Sequence, residues 1–194
     1  MTPLAAALLA QLSYIDAPTI GKSSGAARMH AYSTADGIVH AFRGTDDLRS
    51  IIADVECQTV DVWGLGELHA GFYGALATIL SGCLALPRPA AIVGHSLGAA
   101  MAIIYAGILA QLGIVVPVYA FEPPRLCGDS VLADLFKAVS LPLYATRNAD
   151  DIVTQVPVNL ALPGTLTRIG RAQYPFDNIA DHGIDDVVRS LQVT

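Results

Sequence analysis

The chain has 194 residues, 53% hydrophobic and 14% charged, with 11 Lys plus Arg against 17 Asp plus Glu. That length suits one domain over residues 1–194 with a sizeable core, and the composition excludes a disordered chain. A net charge of −6 with no basic run excludes nucleic acid as a partner.

In chain order, residues 3–14 predict a short helix. The segment is apolar but lacks a positively charged start and a small-residue cleavage pattern, so a packed helix is expected rather than a secretion signal. Residues 26–33 and 38–43 read as strands joined by the turn Ala35-Asp36-Gly37. Residues 46–66 read as a short helix, a strand over 54–60 and a glycine-rich loop, and 70–84 as one apolar helix. Then follow a strand over 90–93, a helix over 97–112, a strand over 115–121, a helix over 129–138, strands over 143–147 and 165–169, and a helix near 181–192.

From Pro89 to Phe121 there is no Asp, Glu, Lys or Arg. This run exceeds the roughly 20 residues of a membrane span. Gly94-His95-Ser96, Gln111-Leu112-Gly113 and Pro117 interrupt it, so it parses as strand, turn, helix, strand. Buried parallel strands are apolar on both faces and imitate a span. Without a span or a signal segment, a cytoplasmic location is favoured, with non-classical secretion left open. The helix over 97–112 has no polar face, which suits an oligomer interface or a lipid contact. Alternating helices and short apolar strands predict an α/β fold whose sheet is mostly parallel after residue 90. Cys57, Cys83 and Cys127 are scattered, odd in number and without metal-like spacing, so neither a disulfide framework nor a zinc site is expected.

The chemistry centres on Gly94-His95-Ser96-Leu97-Gly98, a Gly-x-Ser-x-Gly between an apolar strand and an apolar helix. A serine on so tight a turn exposes its hydroxyl, and glycines two positions away remove side chains that would collide. The following helix directs its N-terminal amides at the negative charge that develops in acyl transfer. A serine nucleophile needs a base later in the chain, and His182 is the one histidine after Ser96. His95 adjoins the serine and diverges from it; His30 and His40 fall on predicted strands near the sheet edge, and His69 suits a helix start. For the acid, Asp129 and Asp134 fall on a predicted helix, Asp181 adjoins His182, and Asp177 suits solvent. Glu122, Asp150 and Asp151 each follow a strand, and the aspartate pair is preferred to Glu122. Phe42-Arg43-Gly44-Thr45 ends a strand where a second oxyanion amide is needed, although Asp46 capping a helix explains the same residues.

Phe42-Arg43-Gly44-Thr45, His69-x-Gly71-Phe72, Gly94-His95-Ser96-Leu97-Gly98, Asp151-Ile152-Val153 before Pro157, and Asp181-His182 together resemble the class 3 (fungal-type) lipase family. The resemblance runs from about residue 38 to about 186 with the motifs in order. It implies the α/β-hydrolase fold and hydrolysis of acyl esters, mainly acylglycerols, in a family that includes phospholipase A1 enzymes and feruloyl esterases. It also implies a Ser96, Asp151 and His182 triad, selecting Asp151 over its rivals, with Thr45 and Leu97 in the oxyanion hole. The substrate is then an acyl ester or lipid, with peripheral contact at a lipid interface and no metal or organic cofactor. A lid would come from Asp46 to Gly66, a segment short enough to suit an esterase as well as a lipase. The other readings are a phospholipase A1 or feruloyl-type esterase, acyl transfer to an alcohol, and a non-catalytic binding module on the hydrolase fold.

Overall fold

A computed structural model of the chain describes residues 1–45, 58–172, 174 and 176–193. Nine strands are described: β1 (Ile20–Gly21), β2 (Arg28–Thr34), β3 (Gly37–Phe42), β4 (Thr59–Val62), β5 (Gly66–His69), β6 (Ala91–His95), β7 (Val118–Phe121), β8 (Leu143–Asn148) and β9 (Leu166–Ile169). The helices are α1 (Pro3–Leu12), α2 (Ala70–Ala77), α3 (Leu80–Ala85), α4 (Leu97–Gln111), α5 (Val131–Ala138) and α6 (Ile184–Gln192). Seven strands form one sheet in the order β1-β2-β3-β6-β7-β8-β9, antiparallel through β3 and parallel from β3 onward.

Successive side chains on a strand point to opposite faces, and the central strands are apolar on both. Val39, Ala41, Ala91, Val93, Tyr119 and Phe121 join Ala6, Ala7 and Ala10 of α1 and Val187 and Val188 of α6 in one core. Their strand neighbours Phe42, Ile92, Val118 and Ala120 join α2 to α5 in the larger core on the other face. Helix α4 lies within that core, buried from Leu97 through Gly107 and again at Leu109 and Ala110. The apolar surface that suited an oligomer or lipid contact is therefore covered by the chain itself. No helix among the described residues is long and apolar enough to cross a membrane.

Several expectations need correction. The helix over 70–84 is two: the Thr78 hydroxyl donates to Ala75 O at 2.7 Å, Ile79 leaves the helical region at φ −120°, and α3 restarts at Leu80. The glycine-rich loop is a hairpin, β4 paired antiparallel with β5. Its turn is closed by Leu65 N donating to Val62 O at 2.8 Å, with Gly64 at φ +71°, a backbone that glycine accepts at least cost. Leu65 is buried in the core, and Trp63 O accepts from Gln111 at the end of α4 remote from Ser96, so the hairpin is tied to the far end of that helix. The rest of the expected lid, with the short helix, most of the strand over 54–60 and Cys57, lies outside the described residues. Asp129 precedes α5 and accepts from the amides of Glu67 and Val131, tying the hairpin to the helix. His30 and His40 do lie near the sheet edge as expected, on β2 and β3, stacked on Tyr32 and Tyr105 at 5.9 Å. Burial lowers His40 to about 4, which keeps it neutral.

Candidate active site

Ser96 stands between the end of β6 and the first residue of α4, at φ 58° and ψ −129°. A non-glycine residue there costs about 1–3 kcal/mol and persists because its surroundings fix it. A Cβ on Gly94 would lie 2.3 Å from the Gly98 carbonyl oxygen, and one on Gly98 would lie 2.1 Å from that of Phe42. Both glycines are thus required by neighbouring backbone, Gly94 by that of the turn and Gly98 by that of β3, and Ser96 N donates to Phe121 O at 3.0 Å to hold the turn against β7. The Ser96 hydroxyl is buried without a hydrogen-bond partner among the described residues.

His182 lies in the loop before α6, whose N-cap is Gly183. Its Nδ1 is 2.9 Å from Asp151 Oδ2, an ion-pair distance out of hydrogen-bond alignment, and both side chains are fully buried. Asp151 follows β8, and its other oxygen accepts from Val153 N at 2.9 Å, which fixes the carboxylate. His182 Nε2, like the serine hydroxyl, is buried without a hydrogen-bond partner among the described residues. The His182 ring lies 4.8 Å from that of His95, the residue preceding the serine.

The other carboxylates are spoken for. Asp150 turns outward to Arg168 at 2.5 Å. Asp177 pairs with Arg147 at 2.5 Å, and Asp181 accepts from Asp150 N and the Asn178 amide. Asp134 accepts from the Ser130 hydroxyl on α5. Glu122 is different: fully buried after β7, its Oε2 lies 2.8 Å from His95 Nε2 and 3.6 Å from His182 Nδ1.

His95 is engaged on both nitrogens, since the Tyr14 hydroxyl lies 2.7 Å from its Nδ1. Burial lowers His95 to about 4 and raises Glu122 well above the usual carboxylate range. His69, as expected, caps a helix: its Nδ1 accepts from Gly71 N and Phe72 N. Thr45 joins Tyr14, His95 and His182 around a cleft of about 350 Å³ that also reaches Gly183 and Arg189. Leu97 is the first residue of α4, where amides have no carbonyl one turn back to bond. Nothing in the local pattern singled out Tyr14, which α1 delivers to the cleft from 81 residues before His95. His95, Glu122 and His182 each offer a ligand atom within 4.8 Å of the others, the group among the described residues that could hold a cation. The 2.8 Å contact of His95 with Glu122 is that of a proton held between them.

A larger cavity of about 530 Å³ lies between β1 and the α2–α3 region, lined by Ile20, Ala27, Ala75 and Ile79, and contains none of these groups.

A parallel sheet with a strained serine at one strand–helix turn and an imidazole–carboxylate pair from later loops defines an α/β hydrolase. The family model for class 3 lipases matches residues 39–161, and the chain belongs to that family of lipase-type hydrolases. The lipase of Rhizopus microsporus var. chinensis is similar in fold, with a TM-score of 0.68 at 22% identity over 90% of this chain and 75% of that one. A Rhizomucor miehei lipase–propeptide complex gives 0.60 at 25% identity over 86% of this chain and 66% of that one. A fungal lipase–inhibitor complex, described as a model for interfacial activation, gives 0.60 at 22% identity over 80% of this chain and 74% of that one. No curated protein matches. This chain spans about two thirds of the length of the Rhizomucor chain in that propeptide complex.

Proposed function

We propose that this protein is a serine ester hydrolase that cleaves acyl esters, acylglycerols among them, through an acyl-enzyme. The carrying observation is the buried His182–Asp151 pair at 2.9 Å, whose imidazole lies 4.8 Å from the ring of His95, the residue before a strained serine; the serine hydroxyl and His182 Nε2 are each without a hydrogen-bond partner among the described residues. Ser96 Oγ adds to the ester carbonyl carbon as its proton passes to His182 Nε2. The oxyanion takes hydrogen bonds from the amides of Leu97 and Thr45 and from the Thr45 hydroxyl. The intermediate collapses, the C–O bond breaks, and the alcohol leaves with the proton from His182. Water then attacks the acyl-enzyme with His182 again as base, and the carboxylic acid departs. Asp151 holds the imidazole with its proton on Nδ1 and stabilises the imidazolium.

A lipid-facing role has support in exposed apolar side chains close in sequence to residues that line the cleft. Ile15 follows Tyr14, and Phe176 and Ile179 lie in the loop leading to His182.

The test compares wild type with Ser96→Ala. The variant should lose roughly 3 or more orders of magnitude in p-nitrophenyl ester hydrolysis while keeping its fold. A fluorophosphonate should label the wild type at Ser96 and leave the variant unlabelled. A folded wild type that neither hydrolyses esters nor takes the label would instead be a binding module.

A further inference from the structure

Two buried carboxylates, not one, face the His182 nitrogen: Asp151 Oδ2 at 2.9 Å and Glu122 Oε2 at 3.6 Å. Its N–H is in hydrogen-bond alignment with neither, the geometry of a donor set between two acceptors. Glu122 also holds an uncommon backbone. It lies at φ 53°, where glycine would sit at less cost, and its amide donates to Thr146 O at 2.8 Å, which locks the residue against β8. A strained, fully buried carboxylate beside the base has no role in the triad. On the reading that His182 is the base, we infer that Glu122 is a positioning residue for it, a reserve acid that takes over the Nδ1 proton's partner role when the charge of Asp151 is lost.

The proton arrangement makes this workable. Glu122 is faced by His95 at the end of β6, His182 before α6, Asp151 after β8 and, at longer range, Asp186 on α6. Two carboxylates in one buried site do not both ionise at little cost, and Glu122 is the one raised well above the usual carboxylate range. With Asp151 ionised, Glu122 keeps its proton and donates it to His95 Nε2, while His95 Nδ1–H donates to the Tyr14 oxygen. Burial chiefly raises Glu122 and the charge of Asp151 adds to it, so neutralising Asp151 lowers the cost of ionising Glu122. Glu122 then loses its proton to solvent and accepts from His182 Nδ1–H, while His95 switches tautomer and accepts from the Tyr14 hydroxyl. The Glu122–His95 and His95–Tyr14 contacts thus each join one donor to one acceptor in both states.

The experiment is a double-mutant cycle on the full chain with p-nitrophenyl butyrate, using Asp151→Asn, Glu122→Gln and both together. Loss of the triad acid alone costs about 10⁴ in kcat where no reserve exists. Here Asp151→Asn should lose only about 10- to 100-fold, with the acid limb of its kcat/KM profile moved to higher pH because activity now waits on ionisation of Glu122. Glu122→Gln, which keeps the shape and hydrogen-bonding capacity, should stay within a few-fold of wild type and leave that limb in place. The double variant should fall to about 10⁴ below wild type. Asp151→Ala gives the same reading where the asparagine variant misfolds, and the thermal midpoint of each variant shows that it is folded. The inference is overturned if Asp151→Asn already loses about 10⁴, or if adding Glu122→Gln costs nothing more. A wild type whose activity survives Ser96→Ala would overturn the triad itself.

Discussion

Gly44 gives a sharp test of how the oxyanion strand is joined to the serine turn. A Cβ added there would lie 2.3 Å from the Tyr14 hydroxyl, 2.7 Å from the His95 carbonyl oxygen and 3.1 Å from Ser96 Cβ. The tyrosine end can swing aside, but the His95 carbonyl is backbone at the very turn that carries the nucleophile. Ordinary contact begins at 3.4 Å, so that carbonyl and Thr45 must separate by about 0.7 Å. Misplacement by about 1 Å costs up to about 10²-fold in rate, and overpacking costs about 1–3 kcal/mol in stability. Gly44→Ala should therefore lower kcat/KM by about 10- to 100-fold and slow fluorophosphonate labelling in parallel. Gly44→Ala with Tyr14→Phe should recover little of the loss, because the backbone contact persists. Gly74→Ala is the control: nothing lies within 4 Å of the added carbon, and inside α2 it should stabilise by about 0.5–1 kcal/mol with no change in rate. A Gly44→Ala enzyme with rates within twofold of wild type would refute the proposed seam between the two loops.

Other outcomes follow from burial. His40 and His95 are lowered from 6.5 to about 4, so between these values the unfolded chain binds protons that the folded chain does not. Their contribution is complete above about pH 6.5 and is lost as pH falls toward 4, whereas that of Glu122, shifted upward, is lost as pH rises through its folded value. Thermal midpoints should drop on acidification over that window, and His40→Gln should flatten part of the drop; an unchanged slope would contradict a neutral buried His40. Ile103→Ala, at a fully buried position of α4, should cost about 2–5 kcal/mol in urea denaturation. Trp63→Ala, at a side chain 88% exposed on the hairpin tip, should stay within about 0.5 kcal/mol.

Much of the site was legible because its constraints are local. Gly94 and Gly98 flank Ser96 at the spacing a strand–helix turn demands, and the clashes their side chains would make are with the backbone of that turn and of the adjoining strand. His182 followed by exclusion, as the single histidine after the serine. The apolar run through α4 announced a buried unit, since strands and helix alike lack charge from Pro89 to Phe121.

The choice among carboxylates was of another kind. Asp150 and Asp151 are neighbours in a turn, and one points to Arg168 in solvent while the other points to His182 in the interior. Composition does not encode that direction; it is set where β8 pairs with β9 and the loop after it meets the chain before α6. Glu122, a third claimant by sequence, sits against the same imidazole because β7 and β8 end side by side. Tyr14 reaches His95 only because α1 packs across the sheet. Sequence alone determined which chemical groups this protein owns and the strand–helix rhythm that carries them. Tertiary packing decided which buried charges share one site, because the cost of burying a charge depends on neighbours in space that lie far apart along the chain.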